Sequence, residues 1–584
     1  MTDLVETGRQ VGRDDPGLVV SASSAPVVTT RPGRGVVNAP TSQLPGGLDL
    51  FGSDRALTEA VARHGAGQHA ARLGELGRLA GSDRTQRWVE LAHGHQPVLR
   101  SHDAFGRRTD EIDHHPSWHR LRQAGVRAGL TAAAWHQPPA ITAHTARAAA
   151  MVVWAQTDVG HLAGLSTTYA AAPALGQEPE LEKRWLPWLA ARAYESQLRP
   201  AKDKLGALCG LAVSERHAGS DLQRIRTTAT PSTQAPLTGG AVYRLDGSKW
   251  CVASPSSDAF LVMAQAPGGL TCFLVPRVLD DGSLNPWQVL RLERLLGITS
   301  TAVAEIELTG TWAIRVGPEG TGRRVLAGTT AAMRLDGVLI SAGLMRQVVV
   351  RTVHYARHRQ AFGARLVDKP LMQNVLADLA IESEATTVLG MRLAAAVDAG
   401  QAELLQAGVP VGAYWAGRRV IGHTAEGLEC LGGNGYVESV GMARLVRDAA
   451  APSIWSGTGN IAALDVLRVM TVRPRALEVL IDEIAQARGM DVDLDAAIDD
   501  VASSLTAAAR EARRDPAAVE SGARFLVERL ATTLQASLLC RYSPGEVASM
   551  YLQTRLSRSG ALAYGTLPSP RRAIAAMIER ALPE

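Results

Sequence analysis

Glu429-Cys430-Leu431-Gly432-Gly433-Asn434-Gly435-Tyr436 puts a carboxylate and an amide beside paired glycines. Residues without a Cβ let a backbone come close to a bulky ligand. Downstream, Arg444-Leu445-Val446-Arg447-Asp448 and Ser453-Ile454-Trp455-Ser456-Gly457-Thr458-Gly459-Asn460 add guanidinium, hydroxyl and amide groups on small-residue turns. Earlier in the chain, Arg357-His358-Arg359-Gln360-Ala361-Phe362-Gly363 couples an arginine, which can pair bidentately with a pyrophosphate, to a phenyl ring that can pack on a nucleoside. Together these groups suit a cradle for a large polar cofactor.

The order Gly-Gly-Asn-Gly, Arg-Asp, Ile-Trp-x-Gly-Thr-Gly-Asn resembles the flavin segment of the acyl-CoA dehydrogenase superfamily, and Ser453 to Ile461 followed by Leu464-Asp465-Val466-Leu467-Arg468-Val469 is most similar to its AidB-type alkylation-response flavoproteins. Three upstream segments match in the same order. Val213-Ser214-Glu215-Arg216-His217-Ala218-Gly219-Ser220-Asp221 resembles the loop that hydrogen-bonds the flavin ring, with Ser214 for the usual threonine. Gly247-Ser248-Lys249-Trp250-Cys251-Val252-Ala253 resembles the segment facing the isoalloxazine, but Cys251 and Ala253 stand where a tryptophan and a threonine or serine are usual. Either Ser254 or backbone N–H groups replace the missing hydroxyl, or a smaller wall beside the flavin admits another substrate or oxygen. The third segment, around Arg359 and Phe362, resembles the Arg-x-x-Phe-Gly signature that reaches the FAD of a neighbouring subunit. The resemblance therefore implies FAD contacts at Val213, Ser214, Gly219, Ser220, Cys251, Ala253, Arg359, Phe362, Glu429, Gly432, Gly433, Thr458 and Asn460, and a homo-oligomer, dimer or tetramer, with FAD at the subunit interface.

One part of the family's machinery is absent. Desaturation of a thioester needs a carboxylate to take the α-proton while a hydride leaves for flavin N5, and burial can raise a glutamate pKa into the range of such a base. By the resemblance that glutamate position is Ser456, whose hydroxyl has no adjacent base to activate it. The alternative position used elsewhere in the superfamily is Met333, and Asp336 projects from a different helix face. The catalytic residues stay unassigned, and ordinary acyl-CoA dehydrogenation is expected to be absent or very slow.

The elements that must hold these groups emerge from periodicity. Helical spacing begins at Leu57 and Val61 after Ser53-Asp54, continues through Leu73, Leu76 and Leu79, and reads as helical to about Arg199. Within it, His114, His115 and His119 invite a metal, but Pro116 marks a helix start and no carboxylate and cysteine ligands complete a set, so the segment reads as structural and no metal site is assigned. Short β-rich runs come next: Tyr243 to Leu245, a hairpin turn at Asp246-Gly247, Lys249 to Ala253, Phe260 to Gln265, and Thr271 to Val275 after Pro267-Gly268-Gly269. Helical period returns from about Leu326, with Leu371, Val375 and Leu379 on one stripe and a long helix from Val411 to Leu431. The fold class is mainly α with a central β domain. By the resemblance it is the acyl-CoA dehydrogenase fold, comprising an N-terminal α domain, a barrel-like middle β domain and a C-terminal four-helix bundle, plus an extra C-terminal helical domain. The expected divisions are a flexible extension over 1–37, then 38–205, 206–317, 318–470 and 471–584.

With 584 residues, 46% hydrophobic, the chain can bury several cores, and its net charge of +4 does not by itself point to nucleic acid. No signal peptide and no run long and apolar enough to span a bilayer is evident, so the expectation is a cytoplasmic protein without a membrane partner. The 5 cysteines lack Cys-x-x-Cys spacing and read as free thiols. Two functions compete. One is an FAD-dependent oxidoreductase or monooxygenase acting on a small non-fatty-acyl substrate. The other, implied by the AidB-type resemblance, is a protein that binds duplex DNA through a basic C-terminal surface and protects it from alkylation. Arg510, Arg513, Arg514, Arg571 and Arg572 could contribute to that surface, against the acids Asp491, Asp493, Asp495, Asp499 and Asp500.

Overall fold

Helix starts are set by the chain's own capping residues. The computed structural model describes residues 47–136, 141–234, 236–557, 563–568 and 571–582, and the extension expected over 1–37 lies outside them. Helix α1 (Arg55–Arg63) opens on Asp54, whose carboxylate accepts from Leu57 N–H at 3.1 Å. After α2 (Ala70–Ala80), Ser82 caps α3 (Asp83–Gly94). The helical reading then fails once: β1 (Val98–His102) and β2 (Arg108–Asp113) form an antiparallel hairpin whose turn is closed by Asp103, accepting from Phe105 N–H and Arg107 N–H. Pro116 starts α4 (Pro116–Ala128), succeeded by α5 (Ala143–Ala155), α6 (Leu162–Leu175) and α7 (Pro179–Ala190). Helices α5 and α6 are buried nearly all round, which explains their weak amphipathic signal.

The β domain comprises β3 (Cys209–Ala212), β4 (Thr228–Pro231), β5 (Val242–Ala253), β6 (Ala259–Ala266), β7 (Gly269–Pro276), β8 (Trp287–Leu292) and β9 (Val303–Val316). The order is β3-β5-β4-β6-β7-β9-β8, and the further pairing of β5 with β9 closes a ring around Leu245, Phe260, Val262 and Phe273. Strands β6 and β7 form a hairpin that turns at Pro267-Gly268. The hairpin expected at Asp246-Gly247 does not exist. Strand β5 runs straight through, because Asp246 pairs with Thr228 on one side and Thr309 on the other. The residue passed over at the neighbouring register shift is Gly310 of β9, at φ 63°, whose N–H donates to Asp246 Oδ1 at 2.6 Å; Gly247 itself pairs with Leu308 at φ 150°, and a Cβ on it would lie 2.7 Å from Thr227 Oγ1.

Helix α8 (Gly322–His358) is the spine of the helical bundle. A two-residue-strand arm, β10 (Gln360–Ala361) and β11 (Ala364–Arg365), leads to α9 (Pro370–Asp398), α10 (Ala402–Cys430), α11 (Met442–Asp448) and α12 (Gly459–Val472). Helix α10 starts earlier than expected and carries Pro410 inside it; of the Leu371, Val375, Leu379 stripe, Leu379 is buried while Leu371 is exposed on the first turn. Beyond lie α13 (Pro474–Ala485), α14 (Val492–Glu511), α15 (Pro516–Tyr542), α16 (Gly545–Tyr551) and α17 (Arg571–Ala581). One apolar core runs from Leu57 of α1 through α5, α8, α9 and α10 to Leu530 of α15 and Ile578 of α17. Contrary to the sequence expectation, α8 is long and apolar enough to cross a membrane, but 72% of its most apolar window is buried inside the protein. That is the signature of a core helix.

Candidate functional site

The segments singled out by sequence fall into two groups. In the first, β3 delivers Val213 and Ser214 to its end, and Trp250 N–H donates to Ser214 O at 2.8 Å, tying them to the segment carrying Cys251 and Ala253. Glu215 anchors this loop from below. It accepts from Thr227 N–H, Thr227 Oγ1, Lys249 Nζ and Arg226 N–H at 3.0, 2.6, 2.8 and 2.9 Å, while Gly219 and Ser220 remain exposed beyond it. Burial would raise the Glu215 pKa, but hydrogen bonds from Lys249 and Thr227 outweigh it and hold it at about 2.

The loop bearing Ser456 and Thr458 joins this group through two contacts. Arg334 Nε of α8 donates to Ser456 O at 3.2 Å, and Met333, Ala332, Tyr169 and Ala170 form an apolar cluster against which Leu211 of β3 and Trp455 pack. The first N–H groups of α12 have no acceptor in their own helix, and the Thr458 hydroxyl caps none of them. Asn460 Oδ1 is already taken by Arg524 Nε of α15 at 2.7 Å.

The second group lies at the other end of α8. Asn434 Nδ2 donates to Tyr355 Oη at 3.0 Å, and Arg351 donates to Val440 O, so Gly432 and Gly433 sit against the last turns of α8, with Glu429 exposed at the end of α10. A Cβ on either glycine would meet nothing within 4 Å. Arg359 comes directly after α8, and among the described residues it forms no ion pair. Phe362 is 95% exposed at the tip of the β10–β11 arm, in the left-handed region at φ 50°. Tyr355 lies about 32 Å along the helix from Arg334 at 1.5 Å rise per residue. One chain therefore does not bring all the expected residues to one place.

The surroundings of Ser456 are cationic and hydroxylic. A small cavity of about 10 Å³ beside Ser456 is lined by Arg334, Tyr414, Arg418, Ser453 and Thr458, and no carboxylate or imidazole lines it. Asp336 does not face it as a base: both its oxygens are held by the Arg147 guanidinium at 2.6 and 2.8 Å, and both residues are buried. Ser254 does not replace the missing hydroxyl by the flavin-facing wall either. Its Oγ accepts from Arg122 Nη2 at 2.9 Å and from Ser257 Oγ, turned into the N-terminal helices.

Three comparisons bear on this arrangement. The chain matches the N-terminal domain of the adaptive response protein AidB over 41–196, the acyl-CoA dehydrogenase middle domain over 210–311 and the acyl-CoA dehydrogenase C-terminal domain over 320–471. AidB of Escherichia coli strain K12 is 36% identical over 472 residues, 80% of this chain and 86% of AidB. The chain belongs to the acyl-CoA dehydrogenase family, in its AidB branch. Its fold is that of the family: Caenorhabditis elegans ACDH-11, solved in complex with C11-CoA, superposes with a TM-score of 0.77 over 91% of this chain and 94% of that one at 23% identity. The FAD complex of PigA superposes with a TM-score of 0.50 over 60% of this chain and 88% of that one at 18% identity.

FAD, which family members bind, suits the donor set here. Ser214, Ser220 and Thr458 offer hydroxyls, and, among the described residues, the start of α12 offers free N–H groups suited to phosphate and Arg359 a guanidinium without an ion pair. The three histidines considered for metal do not converge. His114 stacks on Trp118 with centroids 3.6 Å apart, His115 Nδ1 accepts from Ser117 N–H to cap α4, and His119 Nδ1 lies 2.7 Å from Tyr194 Oη. Among the described residues, His93, Asp158 and Asp448 do bring ligand atoms within 4.8 Å of one another. Arg444 enters that group, 3.1 Å from Asp448, and Ser300 Oγ donates to Asp158, so the carboxylates are already answered.

Sequence reasoning passed over Tyr169, in the apolar cluster with Met333, and its partner His144. Tyr169 Oη lies 2.9 Å from His144 Nδ1, next to Met333, and burial pushes the His144 pKa down to about 4 despite Asp398, so the imidazole is neutral near pH 7. Both belong to helices that read as plain core. Arg334 was visible beside Met333, but its approach to Ser456 spans 122 positions.

Proposed function

We propose that this member of the AidB branch is an FAD-dependent oxidoreductase that does not desaturate ordinary acyl-CoA thioesters and acts on a small substrate needing no carboxylate base, such as an activated nitrogen-containing compound. The carrying observation is the environment of Ser456: two guanidiniums, a phenol and hydroxyls line its cavity, while Asp465 is paired with Arg334 at 2.6 Å and Asp336 is locked to Arg147. Bound FAD would supply hydride acceptance or, once reduced, oxygen chemistry. Ser214, Ser220 and Thr458 would hold its ring and phosphates from one subunit, and Arg359, Phe362, Gly432 and Gly433 would complete the cradle from another. Around the reacting end, Trp455, Met333 and Leu211 would exclude water, with Tyr169, held by His144, in the same apolar cluster. The test is anaerobic reduction of the purified flavoprotein by a panel of small amines and nitroalkanes. Loss of the flavin band with at least one of them supports the reading, and a protein that takes up no FAD refutes it.

DNA protection is a second reading, favoured by one feature of the C-terminal helices. Arg510, Arg513 and Arg514 are exposed at the end of α14, and among the described residues none of them forms an ion pair. Of the acids weighed against them, Asp499 pairs with Arg488, Asp500 with Arg529, Asp491 caps α14 and Asp495 accepts from Gly489 N–H. Duplex titration at two salt concentrations decides it, because contact with phosphates requires an affinity that falls steeply with salt.

A further inference from the structure

One cavity shares no lining residue with any segment assigned to the flavin. It is a groove of about 560 Å³ on the N-terminal helices, between α2, α3, α4 and α5, a size that suits a small organic ligand. Its rim carries Arg72, Arg84, Arg120 and Arg127 against a single carboxylate, Glu75. Each of the four arginines is exposed, and among the described residues none has an ion-pair partner. Like charges left unpaired around one concavity repel one another and create a field that an anion would relieve. The positive field reaches a fifth guanidinium: Arg192, which donates to Arg127 O at 2.9 Å, is held below its ordinary pKa first by burial and then by Arg72.

The floor is of the opposite character. Leu73, Leu76 and Leu79 of α2 face Ala124 and Ala128 of α4 and Ala150 of α5. At one end stands the half-buried indole of Trp88, with the Arg84 guanidinium 5.1 Å and the Arg120 guanidinium 5.9 Å from its ring. Two cations thus approach one indole, and their guanidiniums offer donors to a head group placed beside it.

We propose that this groove binds an amphipathic organic anion, a carboxylate or phosphate head on an aliphatic body, with the head between Arg84 and Arg120 and the body along the α2 leucines. Apolar transfer drives insertion of the body, and the charge-assisted hydrogen bonds of the guanidiniums fix the head. Neither partner of the flavin chemistry is involved, so the site stands or falls independently of the function proposed above.

The test is calorimetric titration of the full-length, flavin-loaded protein with decanoate, decyl phosphate, decanol and decyltrimethylammonium. Both anions should bind at one per chain without altering the visible flavin band, and the better of the two identifies the head group. Decanol and the ammonium compound should bind at least about tenfold more weakly, as should both anions to the Arg84→Gln/Arg120→Gln double variant. These two arginines are exposed, so the variant should keep its far-UV circular dichroism and its flavin. Glu75→Gln, which removes the opposing carboxylate, should tighten anion binding. Affinity that ignores head charge, affinity unchanged in the double variant, a shifted flavin band, or no binding would each overturn the proposal.

Discussion

The proposed chemistry turns on Ser456 and Asp336, which are unequally legible in the sequence. The absence of a carboxylate at Ser456 could be read directly, because its neighbours Trp455, Gly457 and Thr458 fix the alignment. The fate of Asp336 could not, since its partner Arg147 lies 189 positions away and only packing joins them. The same holds for Ser254: a hydroxyl next to Ala253 looked like a substitute, and the fold hands it to Arg122. Glycine at 247 reads as a turn because a positive φ under close approach inside a strand asks the same freedom of a residue as a hairpin turn. If Asp336 is structural, Asp336→Asn should leave a buried Arg147 uncompensated and cost about 3–5 kcal/mol in urea unfolding. The same variant should leave the response of the flavin to every substrate unchanged; lost turnover with unchanged stability would return Asp336 to the list of bases.

At the level of elements, long helices with a clear apolar stripe were legible, and short or fully buried ones were not. The β1–β2 hairpin escaped notice because it is only partly buried, so its strands carry little alternation. The attachment of the C-terminal helices was also hidden. Glu382 of α9 accepts from Arg419 of α10 at 2.8 Å and from Arg555, just beyond α16, at 3.0 Å, a junction assembled from three distant stretches. Burial alone would raise the Glu382 pKa, but the two guanidiniums outweigh it and hold it at about 2 against an ordinary 4.5. A carboxylate whose folded pKa is depressed adds stability above its unfolded value and loses it as pH falls through the folded one. The junction should therefore weaken between about pH 4.5 and 2. Limited proteolysis or hydrogen exchange should show α16 and α17 opening before the bundle in that window, and Glu382→Gln should open them already at pH 7. Identical protection of α9 and α17 at every pH would contradict this role.

For the molecule as a whole, α8 sets the distance that matters. It holds the Ser456 loop near one end and the Gly432–Gly433 turn with Arg359 near the other, about 32 Å apart, more than one flavin-binding cleft can bridge within a chain. Flavin content and assembly should therefore be linked. On dilution, the flavin absorbance retained after gel filtration should fall over the same concentration range as the oligomer seen by mass photometry. Phe362→Ser, which removes the exposed arm tip, should move both curves together to higher concentration, and a monomer that keeps its flavin would refute a shared cradle. The central claim is narrower: this AidB-branch protein keeps the means to hold FAD and lacks the base for thioester desaturation. It is tested most directly by mixing the flavin-loaded protein anaerobically with saturated acyl-CoAs of increasing chain length and monitoring the flavin band. The account predicts no bleaching beyond that of a buffer control; rapid bleaching by any one of them would contradict it.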